Sequence, residues 1–384
     1  MNPLLKNSLR ATLVAALTTG AVLTAGYAPA AAEAPGSLIS AQAEPAGWHG
    51  LDRGSSIEYW MTDSAGVTRP ASGAMFLPEG QAPATGWPIV AYDHGSSGSA
   101  PGCGGQADPE NAPLPMHRAL EDRLIGRFVE QGFAVVTPDY LGLGRFDTGP
   151  HPYLEVRSEA TATIDLVRAA RAAEPGLSRT WSAAGTSQGG HAALSAAHVQ
   201  AEYAPELDFR GTVAIDAASD VEKILPFMSP DLPGLPGSTS FVVSILAGLR
   251  ATRPELDIDS YLTPRGQEIV ATAGTQCLDE IVAATKGITS ADLLVRSLAP
   301  LRAPLAAYMM LPTSGYDAPI LLAMNVTDTI VPSPLHAALV AQLALNGVDQ
   351  QVVPGTGPHG SLSAEQLGAI DAFLARVNAA PPQR

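Results

Sequence analysis

Along the central part of the chain, short apolar runs typical of strands alternate with segments whose apolar residues have helical spacing. Short apolar runs such as "WPIVAYDHG", "FAVVTPDY", "TWSAAGTS" and "GTVAID" have the length of buried strands. Segments with helical spacing lie between them, including "MHRALEDRLIGRFVEQG" and "SEATATIDLVRAARAAE". This alternation from residue 87 to 217 predicts an α/β fold, with a mostly parallel sheet and helices on both faces.

The alternation is interrupted and then resumes. Residues 218–316 contain apolar stretches broken by proline and glycine, with helical patches between them. The strand and helix patterns return with "APILLAMN", "PSPLHAALVAQLALNG", "VDQQVVPG" and "SAEQLGAIDAFLARV". We therefore expect a core of residues 50–217 and 317–378, with residues 218–316 inserted as a mainly helical cap.

The N-terminus has the pattern of an export signal. Lys6 and Arg10 precede an apolar run, and small residues that fit an A-x-A cleavage site follow it. This pattern predicts a signal peptide over residues 1–34, cleaved within about residues 30–34, and hence a secreted protein. An uncleaved membrane anchor is the alternative. No later segment has 18 uninterrupted apolar residues, so we expect no membrane-spanning helix in the mature chain.

Composition and charge narrow the possible partners. Of 384 residues, 46% are hydrophobic and 15% are charged, which is typical of a globular protein. The formal net charge of −15 repels phosphates, so we expect no nucleic-acid partner. Metal-ligand spacings, a phosphate-binding loop and a dinucleotide fingerprint are all missing, so we expect no cofactor and no metal. The sequence does not indicate an oligomeric state.

Glycines surround one serine in "WSAAGTSQGGHAAL". Gly185 and Gly189 flank Ser187 in the pattern G-x-S-x-G, at the junction between a predicted strand and a predicted helix. A serine on such a sharp turn needs small residues two positions before and after it. Ser187 is therefore our candidate nucleophile, and a glycine-rich turn packed for steric reasons alone is the alternative.

A serine nucleophile needs a base and an acid, which in this fold follow it in the order acid, then histidine. Asp328 comes just after the predicted strand "ILLAMN", where the acid is expected. Three other carboxylates are poorly placed, since one precedes that strand and two lie in the predicted cap: Asp317, Asp257 and Asp259. Asp328 is our candidate, although an aspartate that only caps a turn is common in such loops.

The candidate base is His359, in the glycine-rich loop "GTGPHG" after the last predicted strand. His336 is the other histidine after Asp328, but it falls inside a predicted helix, so we expect it to be an ordinary helix residue. His359 would take the proton of Ser187 and return one to the leaving group, and Asp328 would orient the imidazole.

The oxyanion formed during acyl transfer needs preorganised N–H donors. One donor is expected to be the backbone N–H of Gln188, the residue after the nucleophile. The other is expected from the loop "HGSSG", where we choose Ser96, with Gly95 or Ser97 as the alternative. A plain Gly/Ser turn is the other interpretation of this loop.

Taken together, these motifs resemble the secretory lipase family, which includes fungal lipase A-type enzymes and many exported bacterial esterases. The likeness rests on "HGSSG" followed by a cysteine, "PDYLGLG", "HPYL", "GTSQGGHAAL", "TDTIVP" and "PHG", over residues 50 to 375. It implies an α/β-hydrolase core, a helical cap over the site, carboxylic ester hydrolysis, and a triad at Ser187, Asp328 and His359. It also implies a disulfide between Cys103 and Cys277. Two separate buried thiols are the alternative.

The expected function is that of a secreted serine carboxylic ester hydrolase acting on a lipid or other small ester, either a lipase or an esterase. A serine peptidase of the same fold and a non-catalytic binding protein are the alternatives. Met309 and Met310 could line an acyl pocket in the cap, or could simply pack its core. Acyl length and alcohol group are not indicated.

Overall fold

The computed structural model of the protein describes residues 33–44, 51–109, 113–232 and 237–379. The predicted signal peptide falls almost wholly on residues 1–32, outside this part of the chain, and stays a prediction. Within the described residues, no helix is both long enough and apolar enough to cross a membrane.

Nine strands form one sheet. In chain order they are β1 (Leu38–Glu44), β2 (Gly54–Thr62), β3 (Thr68–Phe76), β4 (Trp87–Asp93), β5 (Ala134–Pro138), β6 (Leu177–Thr186), β7 (Asp208–Ile215), β8 (Ile320–Asn325) and β9 (Gln350–Gly355). Their order across the sheet is β1-β2-β3-β5-β4-β6-β7-β8-β9. The sequence did not predict β1, which pairs antiparallel with β2 and places the sheet edge before residue 50.

The strand directions determine where the loops gather. β1, β2 and β3 pair antiparallel, and β3 pairs antiparallel with β5. From β5 through β4, β6, β7 and β8 to β9 every pairing is parallel. The sheet is therefore mostly parallel, as predicted. The loops that follow its parallel strands share one edge, where ligands bind in such sheets.

Eleven α-helices are formed by the described residues. They are α1 (Pro115–Glu130), α2 (Val156–Ala173), α3 (Gln188–Tyr203), α4 (Val221–Ile224), α5 (Thr239–Thr252), α6 (Pro264–Ala273), α7 (Leu278–Ala284), α8 (Ser290–Leu293), α9 (Arg302–Met309), α10 (Ser333–Leu345) and α11 (Ala364–Ala379). Apolar residues of α2 and α3 pack on one face of the sheet, and those of α1 and α11 pack on the other.

The strand side chains alternate between these two layers. In β4, Ile89 and Ala91 belong to the cluster with α2 and α3, whereas Val90 and Tyr92 belong to the cluster with α1 and α11. Successive strand residues point to opposite faces, and both faces are covered, so central strands such as β4 and β5 are almost entirely buried. This explains why they occur in the sequence as continuous apolar runs.

The segment between β7 and β8, residues 216–319, is called the insertion below. Its described α-helices, α4 to α9, contribute most of one apolar cluster, which includes Val243, Leu246, Leu249 and Leu305. Tyr153, Leu154 and Val331, from outside the insertion, complete this cluster. The insertion follows directly on the strand beside β6, so it begins at the edge of the sheet where Ser187 lies.

Candidate active site

Ser187 lies on a strained turn between β6 and α3. Its backbone angles are φ 59° and ψ −116°, a conformation that a residue with a side chain rarely adopts. Tertiary hydrogen bonds hold the turn: Ser187 N donates to Ile215 O over 2.8 Å, and Ala218 N donates to Ser187 O over 3.1 Å. The side chain is half-buried and lines two cavities.

The glycines around Ser187 are needed for close backbone packing. A Cβ on Gly185 would lie 2.1 Å from the backbone oxygen of Gly189. A Cβ on Gly189 would lie 1.8 Å from the backbone oxygen of Asp93, at the end of β4. A Cβ on Gly190 would lie 2.9 Å from Ala217. Each of these distances is shorter than any real Cβ contact, so the turn can form only without these side chains.

Asp328 and His359 meet beside this turn. They lie in the loops after β8 and β9, and His359 Nδ1 donates to Asp328 Oδ2 over 2.6 Å. His359 Nε2 has no hydrogen-bond partner among the described residues, and its ring lines the same cleft as Ser187. A Cβ on Gly360 would lie 3.2 Å from Thr186 Cγ2, so the His359 loop packs beside the serine turn. Nε2 is therefore available to accept a proton.

Asp328 is held as a carboxylate. Burial raises its pKa, but hydrogen bonds from His336, from His359 and from backbone N–H groups outweigh burial and lower the pKa far below its ordinary value. The backbone donors to Oδ1 are Ile330 N at 2.8 Å and Val331 N at 3.1 Å. Both oxygens of the carboxylate are thus bound.

His336 is not the ordinary helix residue that the sequence suggested. Its ring is buried in the first turn of α10, and Nε2 lies 3.1 Å from Asp328 Oδ2. The prediction failed because helical periodicity indicates which face of a helix is apolar, not which polar group that face meets. The position of His336 eight residues after Asp328 was the one available signal.

Asp216 supports both loops of the candidate site. Oδ1 accepts from Asn325 N over 2.7 Å, and Oδ2 accepts from Asn325 Nδ2 over 2.7 Å and from Gly360 N over 2.8 Å. Ligand-type atoms of Asp216, Asp328 and His336 lie within 4.8 Å of one another. Since N–H donors already face these carboxylate oxygens, the group fits a hydrogen-bond network better than a cation site.

The predicted oxyanion donors differ in their availability. Gly95 N–H donates to the carboxylate of Glu121 over 2.7 Å, which removes it as a donor in this structure. The backbone N–H groups of Ser96 and Gln188 have no partner among the described residues. A Cβ on Gly95 would lie 3.9 Å from Ser187 Cβ, so this loop lies next to the serine. The arrangement favours Ser96 and Gln188.

The loop that follows β4, which contains both Ser96 and Cys103, is tied to the insertion. A disulfide joins Cys103 of this loop to Cys277 at the start of α7, with Cα atoms 5.3 Å apart. Leu278 N also donates to Ser97 O over 2.9 Å. The structure therefore contains the disulfide that the family resemblance implied, and the insertion braces the loop that carries Ser96.

A buried polar network lies behind the serine turn. Glu159 accepts from His191 Nδ1 over 2.6 Å and from Gln188 Nε2 over 2.8 Å. Gln188 Nε2 also contacts His151 Nε2 at 2.7 Å, and His191 Nε2 lies 2.9 Å from Met309 O. The network connects α2, the first turn of α3 and the end of α9. It holds the side chain of the residue whose N–H is a candidate oxyanion donor.

The contacts of His191 in this network favour its charged form. Its two ring nitrogens face a carboxylate and a carbonyl oxygen, and both can be satisfied only if both nitrogens donate. Burial lowers the pKa of His191, but the charge and hydrogen bond of Glu159 outweigh burial and raise it above its ordinary value. The pair is thus a buried ion pair.

Ser187 opens on one side to a small apolar cavity of about 250 Å³. Val331, Pro332 and Leu335, from the segment after Asp328, form one wall. The insertion contributes most of the remaining wall, including Leu225, Phe227, Met228, Leu232, Phe241, Val242 and Ile245. Met309 is instead buried in the core of the insertion, and Met310 is exposed, so neither methionine lines this cavity.

On the other side Ser187 faces a larger, open cleft of about 1320 Å³. His359, Ser96 and many residues of α1 line it. The α1 residues include charged groups such as Arg118 and Glu121, which form an ion pair with a 2.8 Å contact. The two cavities therefore differ in size and polarity and meet at the serine.

Comparisons with known proteins agree with this fold. The model of the family described as "Secretory lipase" matches residues 114–293. The chain is also similar to the solved structure of lipase A from Candida antarctica, with a TM-score of 0.72 and 19% identity over 91% of this chain and 84% of that one. The chain has an α/β-hydrolase fold. The predicted fold class and the resemblance to secretory lipases are therefore confirmed.

Two further similar proteins extend the comparison. A structure described as a rice cell wall degrading esterase, LipA from Xanthomonas oryzae, has a TM-score of 0.68 and 21% identity over 90% of this chain and 97% of that one. Lipase A from Arthroderma benhamiae is 26% identical over 240 residues, 59% of this chain. The matched region spans 48% of that relative's length. The proteins that this chain resembles thus include both lipases and esterases.

Three side chains of this site had no role assigned from the sequence. Glu121, Glu159 and His191 lie on helices, and their spacing is that of ordinary helix residues. Only for His191 was a signal available, because it lies one helical turn after Ser187. Glu121 reaches the loop after β4, and Glu159 reaches the serine turn. Each lies on a helix that is distant in sequence from its partner, and such contacts leave no local pattern.

Proposed function

We propose that this protein is a secreted serine carboxylic ester hydrolase with Ser187 as nucleophile, His359 as base and Asp328 as the acid of a triad. The observation that carries the proposal is the meeting of three separate features at one cleft. They are a strained serine turn, a histidine with one free nitrogen, and an ionised carboxylate on its other nitrogen. Export rests on the N-terminal signal pattern and on the family's name.

The reaction follows from these positions. Ser187 Oγ attacks the ester carbonyl carbon while His359 Nε2 takes its proton, and the carbonyl oxygen becomes an oxyanion that Gln188 N–H and Ser96 N–H stabilise. The C–O bond to the alcohol then breaks, and His359 returns the proton to the departing oxygen. Water, deprotonated by His359, attacks the acyl-enzyme and releases the carboxylic acid and free Ser187.

The two cavities indicate which part of the ester each one binds. The departing oxygen must reach His359, and His359 lines the large, charged cleft. The acyl chain then extends into the small apolar cavity, which the insertion closes as a cap. A volume of about 250 Å³ lies below the ordinary range for ligand pockets, so we expect short or medium acyl chains to be preferred.

Rates on p-nitrophenyl esters from acetate to palmitate test the proposal. We expect activity on short and medium chains, a decline toward palmitate, and a loss of about 10³-fold or more in kcat in Ser187→Ala. Because a serine-to-alanine change can disturb the turn, circular dichroism and thermal unfolding of both proteins serve as controls.

The outcomes separate the alternatives. If every ester is inert but a fluorophosphonate probe labels Ser187, hydrolysis of aminoacyl anilides would indicate a serine peptidase. If neither chemistry occurs and Ser187 is not labelled, the protein is a binding protein with a hydrolase fold. Equal activity of the wild type and Ser187→Ala would contradict the proposed nucleophile.

A further inference from the structure

Two imidazoles share one oxygen of Asp328. His359 Nδ1 lies 2.6 Å from Oδ2, and His336 Nε2 lies 3.1 Å from the same atom. With the two backbone donors on Oδ1, the carboxylate receives four hydrogen bonds. A carboxylate has about four lone-pair sites, so every site on Asp328 is used.

The surroundings of His336 show which nitrogen carries a proton. Nε2 faces Asp328 Oδ2 and lies 3.8 Å from Asp216 Oδ1, so it must be a donor. Nδ1 is buried and has no partner among the described residues. The ring is thus held by the single bond it gives to Asp328, and it is 2% exposed.

Sharing Oδ2 has two chemical consequences. The second donor prevents the carboxylate from rotating away from His359, which keeps Nδ1 protonated and Nε2 free. It also withdraws charge from Oδ2, so the carboxylate stabilises an imidazolium at His359 less strongly than it would alone.

We propose that His336 is a positioning residue that orients Asp328 and limits how strongly this carboxylate stabilises the charged form of His359. The proposal rests on the proposed function, since it assigns His359 as the base. His336 acts through Asp328 and touches no substrate, because it lies behind the carboxylate and lines neither cavity.

The test compares His336→Leu, which removes the donor, with His336→Gln, whose side-chain amide can donate in place of Nε2. For the leucine variant we expect kcat to fall about tenfold to 100-fold with little change in KM. We expect the acid limb of its kcat/KM profile to move up by about half a pH unit or more. The glutamine variant should recover most of kcat and the wild-type acid limb.

Neither His336 variant changes the other charged groups around the two histidines. Asp216 faces His336 from the end of β7, and Arg118 and Glu121 of α1 face the cleft in front of His359. His198→Leu is the matched control. His198 is partly buried and packs on Tyr316, and its Nδ1, like that of His336, has no partner among the described residues. It should leave the profile unchanged. Fluorophosphonate titration corrects each rate for the fraction of folded enzyme.

A measurement without substrate separates this proposal from the proposed function. The far-downfield proton resonance of the Asp328–His359 hydrogen bond should shift in His336→Leu and return toward its wild-type position in His336→Gln. If both variants lose the same activity with an unmoved acid limb, or if the resonance stays in place in both, His336 only packs the core and the proposal is wrong. Inactive wild-type enzyme would contradict the proposed function. The proton resonance would still test whether His336 acts on the Asp328–His359 hydrogen bond.

Discussion

Replacing Glu159 with glutamine tests the network behind the serine turn. The carboxylate is fully buried and accepts three hydrogen bonds: from His191 Nδ1 at 2.6 Å, from Gln188 Nε2 at 2.8 Å and from Leu154 N at 3.1 Å. Glutamine has the same shape, but one of its two acceptors becomes an NH₂ donor. That donor would face another donor, and the positive charge of His191 would lose its partner.

The expected cost follows from burial. Removing one member of a buried ion pair destabilises a protein by about 3–5 kcal/mol when the remaining charge stays unpaired away from water. The cost is smaller when that group loses its charge, as a histidine can, so about 3–5 kcal/mol is the upper limit for Glu159→Gln. This is a large part of the total stability of a typical protein. The side chain of Gln188 also loses its anchor, so we expect kcat to fall about tenfold or more through a misplaced oxyanion donor.

Urea unfolding and p-nitrophenyl ester kinetics measure the two effects. Glu206→Gln is the matched control, since Glu206 is half-exposed and its ion pair with Arg168 is worth about 0–1 kcal/mol. Replacing both Glu159 and His191 with glutamine should cost less than the sum of the single changes, because no unpaired charge remains. If Glu159→Gln is as stable and active as Glu206→Gln, the reasoning is refuted.

The same pair predicts a pH dependence of stability. The pKa of His191 is raised in the folded protein above its ordinary value of 6.5, so between these two pKa values the folded state binds more protons than the unfolded state. The contribution of the pair is therefore complete below about pH 6.5 and is lost as the pH rises through the folded pKa. Unfolding free energies of the wild type and of the double glutamine variant should converge over that range.

Two further predictions concern the turn and the disulfide. Gly189→Ala should abolish activity and destabilise the fold by at least about 1–3 kcal/mol, because its Cβ would lie 1.8 Å from a backbone oxygen, whereas Gly368→Ala on exposed α11 should be neutral or stabilising by up to about 1 kcal/mol. Thermal unfolding and activity assays of both variants test these expectations. A Gly189→Ala enzyme with wild-type stability and activity would contradict the steric argument. Replacing Cys103 and Cys277 together with serine should lower stability by at most about 5 kcal/mol and raise the reaction barrier through a looser oxyanion loop. An unchanged melting temperature and kcat would show that the disulfide stabilises neither the fold nor the loop that carries Ser96.

Much of the fold could be predicted because it rests on short-range rules. Strand and helix periods differ, so the alternation along residues 87–217 was sufficient to predict a mostly parallel sheet covered on both faces. β1 was missed because its residues, "LISAQAE", lie on an exposed sheet edge and lack the apolar run of a buried strand. The pairing that makes it a strand is with residues of β2 farther along the chain.

By itself, the sequence determined the candidate nucleophile, since the steric needs of a sharp turn appear as glycines two residues on each side of Ser187. It also placed Asp328 and His359 in loops after late strands, because parallel strands bring such loops to one edge. Only the tertiary structure decided which groups support them. His336, Glu159 and Glu121 reach the site from helices, and a helix period carries no information about which polar partner will face each side chain. Burial makes such pairings strong, and burial is a property of the whole fold.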